Sequence, residues 1–290
     1  MFSEMYLWQI FVADLFFMST LNNDIGQKGS IVLYLSGLFF FLKPYRVIKN
    51  YLAVSLLVVL SATLLSAQDS NNKVHILSWN IKMLPRGLVF LKHHPVKRAK
   101  LIPAHLLSDS IDVICFQEAF DPRARRLLKK GLRSEFPYVV GPANNWASFR
   151  VNSGVMMFSR YPMKQLGQTR FSTCEKEDCM ARKGGLMCEV EKGGRKIQLL
   201  GTHCEAGGSK ELKVSQFYEL KDLADKFAND TTPLFYLGDF NCARNNVNLY
   251  PDMITALNAS DGDISGEIQY TADHQQCDML SLNPNGTRKV

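Results

Sequence analysis

The sequence predicts an α/β protein in which two mixed β-sheets pack together and helices flank them. Short apolar runs rich in Val, Ile, Phe and Tyr, each bounded by Gly, Pro, Asn or Asp, alternate with longer segments of helical periodicity. Some neighbouring runs are close enough to form hairpins, whereas others are joined by a helical crossover. Each sheet should therefore contain both antiparallel and parallel strands.

Seven runs are predicted to be strands because they are short, apolar and interrupted by turn residues. They cover residues 74–81, 111–118, 154–159, 185–191, 196–203, 233–240 and 276–282. Three segments have the apolar spacing of amphipathic helices. They are residues 96–108, 122–136 and 209–227, and Ser209 stands where a helix N-cap is expected.

The composition is that of a globular protein with a large core. Of 290 residues, 46% are hydrophobic and 21% are charged, which excludes disorder for most of the chain. The net charge of +7 suits an anionic partner such as phosphate, nucleic acid or a lipid surface. It does not choose among them.

The chain begins with three apolar stretches that the rest lacks. The last, residues 47–67, has a Lys, an apolar core and a final Ser66-Ala67 before a polar segment, which is typical of a secretory signal peptide. A single membrane-spanning helix is the alternative. We expect the signal peptide, because hydroxyl residues interrupt the apolar core.

A signal peptide belongs at an N-terminus, so we interpret residues 1–46 as a doubtful extension of the reading frame. The mature protein would then be one domain, residues 68–290. We expect it to be secreted.

All seven cysteines follow residue 67. Most lie in or beside apolar runs and are expected to be small core side chains. Cys174 and Cys179 lie in a polar loop and are the pair to suspect of a disulfide if the protein is exported. None of the spacings is a zinc pattern.

The segment 122–136 is strongly basic. Its cations are Arg123, Arg125, Arg126, Lys129, Lys130 and Arg133. Such a run is most often the solvated face of a helix. A lipid-surface or nucleic-acid role is the alternative, although no aromatic residues that could stack on bases interleave.

Polar residues stand at or just beyond the C-terminal ends of four apolar strands. They are Asn80, Glu118, His203, Asp239 and Asn241. Because these strand ends converge at one edge of the sandwich, we expect the side chains to form one cluster. Carboxylate and amide oxygens suit a hard cation such as Mg²⁺.

Six motifs in this order resemble the endonuclease/exonuclease/phosphatase superfamily and, within it, the secreted neutral sphingomyelinases of the bacterial type. They are ILSWNIKMLP (76–85), DVICFQEAF (112–120), SGVMMFSRYP (153–162), GTHCEA (201–206), YLGDFN (236–241) and QCDMLSL (276–282). The narrower resemblance rests also on residues 178–184. It implies a four-layer, DNase-like sandwich and Mg²⁺-dependent hydrolysis of sphingomyelin to ceramide and phosphocholine.

The resemblance also implies roles for individual residues. Glu118 would be the principal Mg²⁺ ligand, with Asn80 close to the metal and the scissile phosphate. Asp239 and Asn241 would orient the attacking water and hold a phosphate oxygen.

Two further roles concern proton transfer. His203 would protonate or hydrogen-bond the phosphoryl group. Asp278 would fix the tautomer of His203 through its other ring nitrogen.

The chain departs from the family pattern in three respects. It contains no Ser-Asp-His segment like the one on the family's last strand, so we expect the domain to lack that strand and its general base. His274 is interpreted as a loop residue rather than a substitute. Glu205 stands where the family usually has Gln and Met279 where it usually has Tyr, which bears on substrate preference.

Two other functions stay open. The first is a nuclease or another phosphoesterase of the same fold, and the second is a non-catalytic lipid-binding relative. We expect the partner to be a phospholipid, sphingomyelin, at a membrane surface. We expect no nucleic acid and a monomeric protein.

Overall fold

The computed structural model describes residues 11–16, 73–85, 94–107, 110–145, 150–263 and 265. The chain forms two compact units, Met1–Asp14 with Val74–Val290, and Leu15–Lys73. The second unit falls almost wholly outside the described residues. So do the predicted signal peptide and the predicted strand at 276–282.

Both sheets are mixed. The first contains β1 (Phe11–Phe16), β2 (Lys73–Asn80), β3 (Val113–Gln117), β4 (Tyr138–Val140) and β5 (Met156–Ser159). Their order is β1-β2-β3-β5-β4, with β2 parallel to β3 and with β5 antiparallel to both β3 and β4. The second contains β6 (Met163–Gln168), β7 (Gly185–Lys192), β8 (Arg195–His203) and β9 (Leu234–Asp239), in that order. Only β8 and β9 are parallel there.

Helices cover both outer faces of the sandwich. They are α1 (Pro95–Leu106), α2 (Pro122–Leu132), α3 (Lys210–Phe227) and α4 (Tyr250–Leu257). The first two share a hydrophobic core with the first sheet, and the last two share another with the second sheet. The sheets meet closely, because a Cβ added at Gly201 would lie 2.7 Å from Cys115 Sγ across the interface. The predicted four-layer architecture is confirmed.

The predicted helices are confirmed with small changes at their ends. The second ends at Leu132. The third begins after Ser209, whose hydroxyl accepts from the backbone N–H of Leu212 at 3.1 Å. None of the helices in the described ranges is long and apolar enough to cross a membrane.

Sequence reasoning missed five elements: β1, β4, β6, α4 and a short 3₁₀ helix at Lys176–Met180. They are short or, like β6, carry largely exposed polar residues, so their periodicity is weak.

The suspected disulfide is present. Cys174 and Cys179 are joined, with an S–S distance of 1.98 Å. Cys115, Cys188 and Cys204 are free and buried, and burial raises the pKa of the Cys115 and Cys204 thiols to about 12. These buried thiols are core side chains rather than nucleophiles.

The junction of β8 with β9 depends on a glycine, which gives the first prediction. Gly238 has φ of 137°, and an added Cβ would lie 2.1 Å from the Thr202 carbonyl oxygen. We expect Gly238→Ala to lower the free energy of unfolding by about 3 kcal/mol or more, measured by chemical denaturation. Gly194→Ala is the control, since it also has positive φ but no atom within 4 Å, and should cost about 1 kcal/mol. Equal losses in the two variants would contradict the steric argument.

Candidate active site

The predicted cluster forms where strands of the two sheets end side by side. Asn80 ends β2, Glu118 follows β3, and Asp239 ends β9. The Asn80 amide nitrogen donates to Glu118 Oε1 at 2.8 Å and to Asp239 Oδ2 at 3.0 Å. One side-chain amide therefore holds two carboxylates from different sheets.

The backbone at Glu118 is in the left-handed region, with φ of 55°. Its carbonyl accepts from the N–H groups of Met83 at 3.0 Å and Phe120 at 2.8 Å. A Cβ at Gly154 would lie 3.0 Å from the Glu118 Cα, so the close approach of the Gly154 backbone to Glu118 requires glycine. The surrounding loops thus hold Glu118 in a conformation that a free chain would seldom adopt.

Asp239 and Asn241 form a tight turn against the end of β8. The Asn241 N–H donates to Asp239 Oδ1 at 3.0 Å, and its side-chain amide donates to the Cys204 carbonyl at 3.1 Å. The Cys204 N–H in turn donates to the Asp239 carbonyl at 2.9 Å. These bonds fix the Asp239 carboxylate beside the residue that follows His203.

His203 is buried at the centre of the cluster, with 4% of its surface exposed. Its Nε2 lies 4.0 Å from Asp239 Oδ2 and 3.4 Å from Lys183 Nζ. Burial and the positive charge of Lys183 lower the pKa of His203, and the carboxylates of Asp239 and Glu118 only partly offset them. Its Nδ1 is buried without a hydrogen-bond partner within the described ranges.

The sequence analysis missed an ion pair that borders His203. Lys183 Nζ lies 2.7 Å from Asp178 Oδ1 and donates to the Cys204 carbonyl at 2.9 Å. Burial alone would raise the pKa of Asp178, but Lys183 and the Ala206 N–H hold it below its ordinary value. Both charged residues belong to the segment 178–184, on which the family resemblance partly rests. That resemblance was the one sequence signal that could have pointed to them. The contact of Lys183 with His203 spans 20 residues of chain, so it forms only in the folded protein.

Glu205 is buried but bonded away from the two carboxylates. Its Oε1 accepts from the Glu175 N–H at 2.9 Å, and its backbone N–H donates to Gln216 Oε1 at 2.9 Å. Burial raises the pKa of Glu205. Within the described contacts it joins the disulfide loop to α3.

Three residues of the sequence analysis lie outside the described residues: His274, Asp278 and Met279. Their roles stay predictions.

The donor set fits a magnesium ion. Glu118 and Asp239 provide carboxylate oxygens within reach of the Asn80 amide. The described residues contain no group of three or more His, Cys, Asp or Glu side chains arranged as a complete metal centre. Mg²⁺ commonly takes one or two carboxylates and fills its remaining positions with water and substrate phosphate, so two protein carboxylates would be enough to hold it.

Comparison with known proteins defines the class. Residues 77–277 match the model of the Endonuclease/Exonuclease/phosphatase family, and the chain belongs to this family. The strand-end cluster lies inside that match.

The chain is also similar to a bacterial sphingomyelinase and a bacterial phospholipase. The chain is 33% identical over 218 residues to sphingomyelinase C 2 of Leptospira interrogans, which covers 67% of this chain but only 34% of that protein. It is 28% identical over 260 residues to phospholipase C of Staphylococcus aureus, covering 82% and 78% of the two chains.

Solved structures of a bacterial protein have the same fold as this chain. The fold matches a β-hairpin deletion mutant of Staphylococcus aureus beta toxin with a TM-score of 0.67 at 25% identity, over 74% of this chain and 82% of that one. Another beta toxin structure, with the same TM-score and identity, covers 74% and 80% and contains bound magnesium ions.

The buried histidine gives a prediction about pH. Because its folded pKa lies below its unfolded value of about 6.5, unfolding takes up a proton as the pH falls below that value. The stabilising contribution is complete above about pH 6.5 and is lost as the pH falls toward the folded pKa. We expect His203→Gln to reduce the loss of unfolding free energy between about pH 7 and about pH 5.

His105→Gln, at an exposed position of α1, is the matched control and should retain the wild-type slope. An unchanged slope in His203→Gln would show that His203 is not held neutral.

Proposed function

We propose that this protein is a Mg²⁺-dependent phosphodiesterase that hydrolyses sphingomyelin to ceramide and phosphocholine. The observation that carries the proposal is the Asn80 amide bridging Glu118 and Asp239 beside a buried histidine. Membership of the family and the likeness to sphingomyelinases support it. The reaction breaks the bond between phosphorus and the ceramide oxygen, and water supplies the hydroxyl group to phosphorus and the proton to ceramide.

Glu118 would hold the ion, with Asn80 beside it. When bound, Mg²⁺ would neutralise charge on the phosphate. The Asn80 amide uses both of its N–H groups on the two carboxylates, so it would release one of them to donate to a phosphate oxygen.

Asp239 and Asn241 would orient the attacking water. Their turn fixes the carboxylate through the Asn241 N–H, so its direction does not depend on substrate. Among the described residues the other histidines, His75, His94 and His105, belong to β2 or to α1 and its N-cap, not to this cluster. None of these three histidines is therefore placed to take the proton from the water.

His203 would supply a proton or a hydrogen bond to the phosphoryl group. Donation from Lys183 to Nε2 favours the tautomer with its proton on Nδ1, which is the buried atom that the predicted Asp278 would accept from. An anionic phosphate next to Nε2 would favour the protonated imidazole, so that Nε2 could donate.

We also propose that the protein is exported and acts at a membrane surface. The signal-like segment 47–67 and the Cys174–Cys179 disulfide support export, since such bonds persist in oxidising compartments. The water-insoluble substrate lies in a bilayer, which supports the location. The monomeric state stays a prediction.

The metal site is tested by Glu118→Gln, which keeps the shape of the side chain and removes its charge. We expect its Mg²⁺ affinity, measured by titration calorimetry, to fall by more than the roughly 10–100-fold lost when an outer-shell partner is removed. Glu191→Gln, at an exposed position of β7, is the control and should bind like the wild type. Equal affinity in the wild type and Glu118→Gln would place the ion elsewhere.

The reaction is tested by measuring phosphocholine release from sphingomyelin with Mg²⁺. We expect measurable release, at a rate below the usual enzyme range of about 1–10³ s⁻¹ where no residue beyond the described ones takes the proton from water. His203→Ala should lower it by a further factor of roughly 10²–10⁴.

Other substrates separate the competing functions. Cleavage of DNA in preference to sphingomyelin would favour a nuclease, and vesicle binding with no turnover would favour a non-catalytic relative. Turnover within the usual range would mean that another residue serves as the base.

A further inference from the structure

The two helices that cover the first sheet expose a continuous basic surface. Neither α1 nor α2 contains an acidic residue. The exposed cations on them and at the C-cap of α2, here called the basic helical face, are Lys97, Lys100, Arg123, Arg126, Lys129, Lys130 and Arg133. Their spacing of three or four residues places most of them on one side of each helix.

The two helices form a single layer. A Cβ added at Gly131 in α2 would lie 2.5 Å from Pro103 Cγ in α1, so the helices are in contact. Their basic residues therefore belong to one surface rather than to two separate ones.

This layer begins at the catalytic edge. Asp121, three residues after Glu118, caps α2, and its N–H donates to the Met83 carbonyl at 2.9 Å. In the first turns of α1, Arg98 donates to the Ile81 carbonyl at 2.6 Å, next to Asn80. The start of each helix is thus tied to a loop that carries a site residue.

Nearby acids do not neutralise the basic helical face. The Asp121 carboxylate accepts from the N–H groups of Arg123 and Ala124, and Glu135 pairs with Arg160. In the parts of the chain that the structure describes, no cation of the face forms an ion pair.

We propose that the basic helical face docks the protein on a bilayer that contains anionic phospholipid. Such lipids attract basic residues, by a factor of about five in partition coefficient for each one near the surface. Leu101 is 46% exposed on α1 beside Lys100 and adds an apolar contact. Neither helix contains Phe, Tyr or Trp to stack on bases, so a lipid surface is favoured over a single-stranded nucleic acid.

The inference rests on the proposed function only in placing a membrane next to the catalytic edge. Sphingomyelin itself is zwitterionic, so the face would recognise other lipids of the same bilayer. Docking there would bring the edge that holds Glu118 toward the surface.

The test is sedimentation of the purified full chain with vesicles of phosphatidylcholine, with and without phosphatidylserine. We expect phosphatidylserine to increase binding of the wild type and added salt to reverse the increase. The triple variant Arg126→Gln, Lys129→Gln and Lys130→Gln should lose about 100-fold in partitioning to anionic vesicles. Its binding to phosphatidylcholine alone should not change.

A matched variant removes the same charge from exposed positions of the other sheet and its helix. It carries Lys164→Gln, Arg195→Gln and Lys226→Gln, which leaves Lys196 to pair with Glu189. It should lose far less than 100-fold, and circular dichroism and thermal unfolding would confirm that both variants fold.

Three outcomes would overturn the proposal. They are wild-type binding that is indifferent to phosphatidylserine, equal losses in the two triple variants, and displacement of the wild type from anionic vesicles by a low concentration of single-stranded DNA. Because these vesicles contain no sphingomyelin, they measure docking apart from turnover. Docking to them, together with no phosphocholine release from vesicles that do contain sphingomyelin, would leave this proposal standing and overturn the proposed function instead.

Discussion

The bridge from the Asn80 amide to Glu118 and Asp239 is the interaction on which the rest of the site depends. The two carboxylates come from different sheets, and their negative charges repel each other because both lie within hydrogen-bond distance of the same amide nitrogen. The Asn80 amide donates a hydrogen bond to each carboxylate and so keeps both at the same edge of the sandwich. The distance between the sheets therefore sets the distance between the acidic groups, and a small displacement of one layer would separate them.

Close packing of the strands that carry His203 and Asp239 keeps this bridge in place. Gly201 allows β8 to approach Cys115 and Met157 of the opposite sheet, and Gly238 allows β9 to approach the Thr202 backbone. A side chain at either position would push the strand that carries His203 or Asp239. The glycines thus act on the site without touching it, because close-packed layers transmit a displacement rather than absorb it.

The acidic cluster of the site and the basic helical face occupy different parts of the described domain. Carboxylates and a buried, neutral histidine occupy the strand ends, while Lys183 borders His203 and is itself paired with Asp178. The cations of the basic helical face lie outside this cluster, on α1 and α2. The acidic cluster can thus attract a cation while the domain as a whole attracts anions, since the two charge sets are spatially separate.

The sequence alone determined the fold class, most strands, three helices and the strand-end positions of Asn80, Glu118, His203 and Asp239, because apolar periodicity and converging strand ends are local signals. The folded structure was needed to show that Asn80 bonds to a carboxylate of each sheet, that the Lys183–Asp178 ion pair lies beside His203, and that Glu205 bonds to Gln216 instead of joining the carboxylates. These contacts join residues far apart in the chain, and no local pattern records them. The lowered pKa of His203 could not be predicted from the sequence either, because it depends on burial and on charges that the folded chain brings together.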